Sequence, residues 1–157
     1  MIKFFVPGKP LPQPRPRVYT HAGQVRAVSN KGPVAQWKKA VATMAQFASS
    51  QEEWGVNPDD ALHLGLIFLL PRTKRAPKKR PHREYMTVRP DVDNLVKAVK
   101  DCCTGILWHD DCQITHVDAS KFRAAANEEP GVLVNVSVLP PLLPVEVDLV
   151  NLEDLPF

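Results

Sequence analysis

The sequence has few of the features that mark secreted and membrane proteins. It contains three cysteines in 157 residues, an odd number that argues against a disulfide framework and suits a reducing compartment. No stretch contains 18 consecutive apolar residues, and the apolar stretch before Pro7 is too short for the core of a signal peptide. We therefore expect a cytoplasmic protein without a membrane span.

Basic residues are absent from the C-terminal end of the chain. No Lys or Arg follows Arg123, whereas six of the 17 acidic residues do. The formal net charge of +3 therefore conceals a basic body and an acidic tail. A basic body indicates a polyanion such as nucleic acid as its partner.

Hydrophobic periodicity predicts an α+β fold with a mixed β-sheet packed against two main helices in a single domain. Strands are predicted over 2–6, 62–70, 112–122 and 132–139, and a hairpin pairs 18–19 with 25–28. Helices are predicted over 34–53, with Trp37 in the core, and over 95–104. The domain occupies residues 1–139, and residues 140–157 form a Pro-rich acidic tail that is predicted to be flexible.

Two segments concentrate the basic residues. Prolines keep residues 7–17 out of a helix, so their basic side chains project from extended backbone. Residues 72–89 contain eight Lys or Arg and are predicted to be an exposed flexible loop. The candidate DNA-contacting residues are Lys9, Arg15, Arg17, Arg72, Lys74, Arg75, Lys78, Lys79, Arg80, Arg83 and Arg89.

An acidic cluster follows the second basic segment. Asp91 and Asp93 are two residues apart, and on extended backbone their carboxylates point to one face and can share a cation. Lys97 lies one helical turn after Asp93, and the chain after Gly105 is long enough to return Asp111 to the same place. Such carboxylates suit Mg²⁺, or Mn²⁺ in its place, which can polarise a scissile phosphate while Lys97 stabilises the developing charge.

A second interpretation of these acidic residues is structural. Asp91 and Asp93 can simply cap and charge the helix, with Asp93 or Asn94 as its N-cap, and Asp110 and Asp111 can be turn residues before a strand. The basic surroundings favour a site that holds carboxylates and a polyanion together.

The cysteines and histidines admit a third interpretation. Cys103, His109, Cys112 and His116 form a donor set that zinc accepts. Reduced cysteines on the apolar stripe of a helix, however, usually serve as small buried hydrophobes, and we favour that role.

Two motifs resemble those of a known family. The segments PDVDNLVKAVKD and LWHDDCQI resemble the D-x-D-N-x-x-K and W-x-D-D-x-Q signatures of the RusA-type Holliday junction resolvases (crossover junction endodeoxyribonucleases), and GKPLPQPRPR is similar to the opening of their phage branch. The resemblance spans Gly8 to about Lys121. It implies a homodimer, in a bacterial or phage-infected cell, that binds four-way DNA junctions in recombination and repair and nicks two opposed strands with Mg²⁺ or Mn²⁺.

The resemblance also implies roles for individual residues. Asp91, Asp93 and Asp111 match the catalytic metal-binding carboxylates, and Lys97 matches the essential lysine. Residues at other recurrent family positions are of second rank: Asp101, Asp110 and Lys121. The implied function is metal-dependent phosphodiester hydrolysis in Holliday junctions or other branched DNA. The alternative is a non-catalytic branched-DNA-binding or recombination adaptor module.

The acidic tail suggests a protein partner. NLEDLPF resembles the acidic C-terminal tip of bacterial single-stranded DNA-binding proteins, and its docking residues would be Glu153, Asp154, Leu155, Pro156 and Phe157. Phe157 would fill an apolar pocket while the acidic residues steer the approach. The tail can equally fold back on the basic face and temper non-specific DNA binding.

Overall fold

The described part of the chain forms seven strands and two α-helices. The computed structural model describes residues 1–14, 32–72 and 81–142, together with the backbone of 18–21 and 24–27. The elements in chain order are β1 (Ile2–Pro7), β2 (Val18–His21), β3 (Gln24–Ala27), α1 (Pro33–Gln51), β4 (Leu62–Leu70), β5 (Glu84–Tyr85), α2 (Val92–Cys103), β6 (Ile114–Arg123) and β7 (Gly131–Val138).

Five strands form one mixed sheet in the order β1-β7-β4-β6-β5. Strands β4 and β6 are parallel, and all other neighbours in this sheet are antiparallel. The parallel pair follows from the chain path, because β5 and α2 lie between β4 and β6 in sequence and return the chain to the same end of the sheet. Strands β2 and β3 pair separately as a hairpin.

Both helices pack on one face of the sheet. Helix α1 contacts β1 and α2, and α2 contacts β6. Every second residue of β4 from Leu62 to Phe68 is buried beneath them, as period-two alternation requires. Helix α2 buries Leu95 and Val99 against this layer, each worth about 1.5–3 kcal/mol relative to an exposed side chain. This packing fixes the position and rotation of α2, whose first turn carries the candidate site.

The structure confirms the predicted α+β class, the mixed sheet, both helices and the hairpin. Strand β4 has the predicted bounds. Trp37 is 6% exposed, and Cys102 and Cys103 are buried, as expected of core residues. Burial raises the pKa of Cys102 to about 11 and also raises the pKa of Cys103, the residue of the zinc set on this helix, as expected of core thiols.

Helix α2 corrects one predicted boundary. It begins at Val92 and not at Leu95, and its N-cap is Asp91, in extended conformation, instead of Asp93 or Asn94. Asp93 lies in the first helical turn, where the helix dipole stabilises a carboxylate. The helix can therefore begin before Leu95. Asp91 and Asp93 therefore do not share the extended backbone on which their common direction was predicted.

Two further segments differ from prediction. Residues Asp111–Gln113 form a 3₁₀ turn, so the next strand begins at Ile114. Residues Glu84–Tyr85 pair with β6, so the segment 72–89 is not entirely a loop. Residues 73–80 and the tail from 143 to 157 lie outside the described residues. None of the described helices has the length and apolarity needed to span a bilayer.

Candidate active site

The first turn of α2 separates two surface pockets. Asp91 and Asp93 are two residues apart at a helix start, a spacing that directs side chains to different sides. The first pocket, named here the Gln13 cleft, has a volume of about 500 Å³ and is lined by Lys9, Pro10, Leu11, Pro12, Gln13, Arg89, Pro90, Asp91 and Asn94. The second, the Asp111 hollow, has about 550 Å³ and is lined by Val92, Asp93, Val96, Lys97, Lys100, Asp111, Val117 and Ala119.

The Asp111 hollow brings together residues that are distant in sequence. Asp93, Lys97 and Lys100 lie along one side of α2, at spacings of four and three residues. Asp111 reaches the same hollow from the start of the 3₁₀ turn, after the chain reverses at Gly105, whose φ of 76° favours glycine. The hollow thus combines two carboxylates with two ammonium groups.

Asp111 is held in a fixed orientation. Its Oδ1 accepts hydrogen bonds from Thr104 Oγ1 at 2.8 Å and from the indole Nε1 of Trp108 at 3.0 Å. Its Oδ2 lies 3.5 Å from Lys100 Nζ. Trp108 is 2% exposed, so its donor is anchored in the core. One oxygen of the carboxylate is therefore engaged by neutral donors, and the other faces the cationic side of the hollow.

Asp110, next to Asp111, has a structural role. Its carboxylate accepts a hydrogen bond from Cys112 N at 2.8 Å, and this bond holds the pKa of Asp110 below its ordinary value. Gln113 completes a capping box by accepting from Asp110 N at 3.3 Å. The cap fixes the 3₁₀ turn and thereby the backbone that carries Asp111.

The other two second-rank residues also tie elements together. Lys121 Nζ donates to Val88 O at 2.9 Å and to Pro90 O at 2.7 Å, which fastens the segment leading into α2 onto β6. Asp101 lies 3.5 Å from Lys38 Nζ and links α2 to α1. Neither residue lines the Asp111 hollow.

The described basic candidates divide into two groups. Lys9 and Arg89 are exposed and line the Gln13 cleft. Arg72 lies 3.4 Å from Glu84 and donates to His82 O at 2.9 Å, with a side chain only 12% exposed. Arg83 Nε donates to the carboxylate of Glu128 at 2.7 Å. The remaining candidates lie outside the described residues: Arg15, Arg17, Lys74, Arg75, Lys78, Lys79 and Arg80.

The carboxylates of the Asp111 hollow fit a hard divalent cation that completes its coordination shell with ligands from outside the protein. In the described part of the chain, no group of three or more His, Cys, Asp or Glu is close enough to hold a metal ion by itself. The four residues of the zinc alternative therefore do not form a site, and the three predicted carboxylates do not converge as one group. Asp93 and Asp111 nevertheless line one hollow. Mg²⁺ is typically bound by one or two carboxylates together with waters and substrate phosphate oxygens, so two carboxylates are a sufficient protein contribution.

Four residues around these pockets were missed by the sequence analysis. Lys100 continues the Asp93–Lys97 face by one more turn, and this spacing could have identified it. Trp108 stands within the W-x-D-D motif already noted. Thr104 and Gln13 carry no sequence signal of their own, since their roles depend on how loops meet α2.

Comparisons with known proteins agree with the motifs. A model of the family described as endodeoxyribonuclease RusA matches residues 7–137. YqaN of Bacillus subtilis (strain 168), an uncharacterized protein, is 30% identical over 140 residues, which are 86% of this chain and 94% of YqaN. The family match covers every residue that lines the Asp111 hollow and the Gln13 cleft.

Proposed function

The chain belongs to the RusA endodeoxyribonuclease family, whose members are endonucleases of Holliday junctions, and from this premise we propose that it cuts branched DNA at the Asp111 hollow by metal-dependent hydrolysis. The observation that carries the assignment is the convergence of Asp93, Lys97 and Asp111 on one open hollow. Carboxylates in a basic setting repel phosphate unless a cation joins them, so a pure DNA-binding module gains nothing from this arrangement.

The residues of the hollow have different roles in the proposed reaction. Asp93 and Asp111 would hold Mg²⁺ or Mn²⁺, which when bound polarises the scissile phosphate and activates water. Lys97 is exposed and has no ion pair among the described residues, so its ammonium can approach a phosphate oxygen and stabilise the charge of the transition state. Thr104 and Trp108 keep Asp111 oriented before substrate arrives.

Asp91 is retained in the proposal as a third carboxylate on the strength of the motif. Its side chain is exposed, lines the neighbouring cleft and makes no cap hydrogen bond, so it is free to change rotamer. Cleavage that persists undiminished in Asp91→Asn would remove it from the catalytic set and leave it as the N-cap of α2.

We further propose that the active species is a homodimer in the cytoplasm that makes paired nicks. A four-way junction has two-fold symmetry, and two active sites related by a two-fold axis can cut its opposed strands within one binding event. The expected mass in solution is about twice the 17.5 kDa of one chain, measurable by sedimentation at the concentration used for cleavage. A monomer that still makes paired nicks would contradict this part.

The test of the proposed function is cleavage of a synthetic four-way junction with each strand labelled in turn. We expect opposed nicks with Mg²⁺ or Mn²⁺, none with EDTA, and little cutting of linear duplex of the same sequence. Asp111→Asn is expected to lower the rate at least a hundredfold and to keep junction binding, because removing metal-held charge affects the transition state more than phosphate contacts. Tight binding without cutting under either metal would favour the adaptor alternative.

A further inference from the structure

Apart from Asp91, the Gln13 cleft is built from groups that the hydrolytic reaction leaves unused. Its volume of about 500 Å³ is within the range of small-ligand sites. One wall is apolar and is formed by Pro10, Leu11 and Pro12, while Lys9 and Arg89 provide positive charge at its exposed rim. An apolar wall with a cationic rim matches a nucleotide, which has a flat base and an anionic phosphate.

Gln13 lines the cleft, and its side chain carries a buried polar atom. Its backbone N–H donates to Asn94 O at 2.9 Å, which fixes the loop against α2 without using the side chain. The side-chain Oε1 is buried and has no hydrogen-bond partner among the described residues. A buried acceptor without a donor is costly, and such atoms in folded proteins commonly mark a functional role or a missing ligand.

The cleft and the hollow adjoin the same helical turn. Asp91 lines the cleft, and Asp93, two residues later, lines the hollow. A DNA strand whose scissile phosphate lies in the hollow can therefore place a neighbouring nucleotide in the cleft. Linear duplex keeps its bases stacked and paired, whereas a junction has strained or unpaired bases at its branch point, where extruding one is least costly.

We propose that the Gln13 cleft receives one unstacked nucleotide of the branched DNA, adjacent to the cut phosphate. The Gln13 side chain then turns so that its Oε1, buried in the free protein, accepts a hydrogen bond from the exocyclic amino group of the base. This inference rests on the proposed function and specifies its substrate. Adenine, cytosine and guanine carry an exocyclic amino group and thymine does not. The cleft therefore discriminates against thymine at one position beside the cut, by roughly tenfold, as expected of one base-edge contact.

The first experiment measures cleavage of junctions in which each position beside the branch point carries each of the four bases. The wild-type chain should cut the thymine substrate about tenfold more slowly at one position. Gln13→Ala and the volume-conserving Gln13→Met should lose this difference and cut the preferred substrate about tenfold more slowly. Gln46→Ala, on the exposed surface of α1, is the matched control and should retain both rate and preference.

The second experiment measures binding without cutting. A junction with 2-aminopurine at the same position is mixed with Asp111→Asn, and its fluorescence should rise several-fold as the base leaves the stack. The rise should be absent in Asp111→Asn/Gln13→Met at saturating protein. Equal thermal melting of the Gln13 variants and wild type establishes that the substitutions leave the overall fold intact.

The outcomes separate the two proposals. If the Gln13 variants cut junctions with unchanged base preference and unchanged fluorescence, the nucleotide site is wrong and the nuclease assignment stands. If the wild type cuts no junction but gives a Gln13-dependent fluorescence rise, the nucleotide site stands and the nuclease assignment falls.

Discussion

The orientation of Asp111 depends on which of two acceptors receives the hydroxyl hydrogen of Thr104. The hydroxyl carries one hydrogen, with Lys100 O at 2.9 Å and Asp111 Oδ1 at 2.8 Å as alternative acceptors. An ionised carboxylate is the stronger acceptor of the two. Since Trp108 Nε1 also points at Oδ1, that oxygen is saturated by neutral donors, and Oδ2 is left for a cation.

Thr104→Val is therefore expected to raise the Mg²⁺ concentration for half-maximal cleavage about five- to tenfold, the effect of losing one charge-assisted hydrogen bond of about 1–1.5 kcal/mol. Thr104→Ser, which keeps the hydroxyl, should restore the wild-type requirement. The measurement is a metal titration of junction cleavage. An unchanged requirement in Thr104→Val would show that Asp111 does not depend on this bond.

The two lysines of the hollow are expected to differ in their effects. Lys97→Ala should lower kcat by about a hundredfold or more, because its ammonium has no carboxylate partner among the described residues and is available to the phosphate. Lys100→Ala should instead lower the half-maximal Mg²⁺ concentration a fewfold, since its ammonium lies 3.5 Å from Asp111 Oδ2 and competes with the metal. The same metal titration distinguishes these results, and a raised requirement in Lys100→Ala would contradict the competition.

Among elements, the segment that leads into α2 is fastened to β6 by the side chain of Lys121. Lys121→Met keeps the aliphatic stem but removes the hydrogen bonds to Val88 O and Pro90 O. We expect kcat to fall about tenfold or more, because the start of α2 that carries Asp91 and Asp93 loses its anchor. Lys38→Met is the control: it breaks a partly exposed ion pair with Asp101, worth less than about 1 kcal/mol, and should leave kcat unchanged.

The close approach of β1 and β7 makes a separate prediction about stability. A Cβ at Gly131 would lie 2.5 Å from Val6 O and closer still to the ring of Phe5. Gly131→Ala should therefore destabilise the fold by about 1–3 kcal/mol through overpacking, measured by denaturant unfolding. Gly55→Ala, where no atom of the described residues lies within 4 Å of the added Cβ, should be close to neutral. Equal stability of both variants would refute the tight contact between these strands.

Elements with strong local signals were predictable from the sequence. Strand β4 is an apolar run between Asp59-Asp60 and Pro71, and its bounds were predicted correctly. Strand β5 was missed because two residues have no periodicity, and they become a strand only by pairing with β6. The 3₁₀ turn was readable in principle, since Asp110 and Gln113 have capping-box spacing, but the alternating pattern of the following strand obscured it.

The candidate site was predictable in composition and less so in geometry. The motifs supplied Asp93, Lys97 and Asp111, which line one hollow. The direction of the Asp91 side chain was predicted wrongly, because the helix begins three residues earlier than expected. Helix starts are the least certain part of a sequence-based prediction, and a shift of a few residues changes which side chains converge.

On the scale of the whole molecule, ion pairs among the described residues limit the positive charge that two of the basic candidates offer to DNA. Arg72 and Arg83 belong to the basic segment, yet Glu84 and Glu128 engage them within 3.4 Å and 2.7 Å. In the described part of the chain, Lys9 and Arg89 remain exposed beside the candidate site. The contribution of the described residues to DNA binding should thus come mainly from these two cations near the candidate site.

This distribution predicts the salt dependence of junction binding. Each phosphate contact contributes about −0.9 to the slope of log K against log [salt], so Lys9→Ala/Arg89→Ala should reduce the slope by about 1.8 and weaken binding of all junction sequences alike. Lys3 is exposed on β1, where Ile2 and Phe4 on either side of it face the helices, so it points away from them and Lys3→Ala should leave the slope unchanged. The slopes of the wild type and the two variants are measured by fluorescence anisotropy between about 50 mM and 200 mM salt. Equal slopes would place the DNA on a different surface, because counterions are released only where phosphates are neutralised.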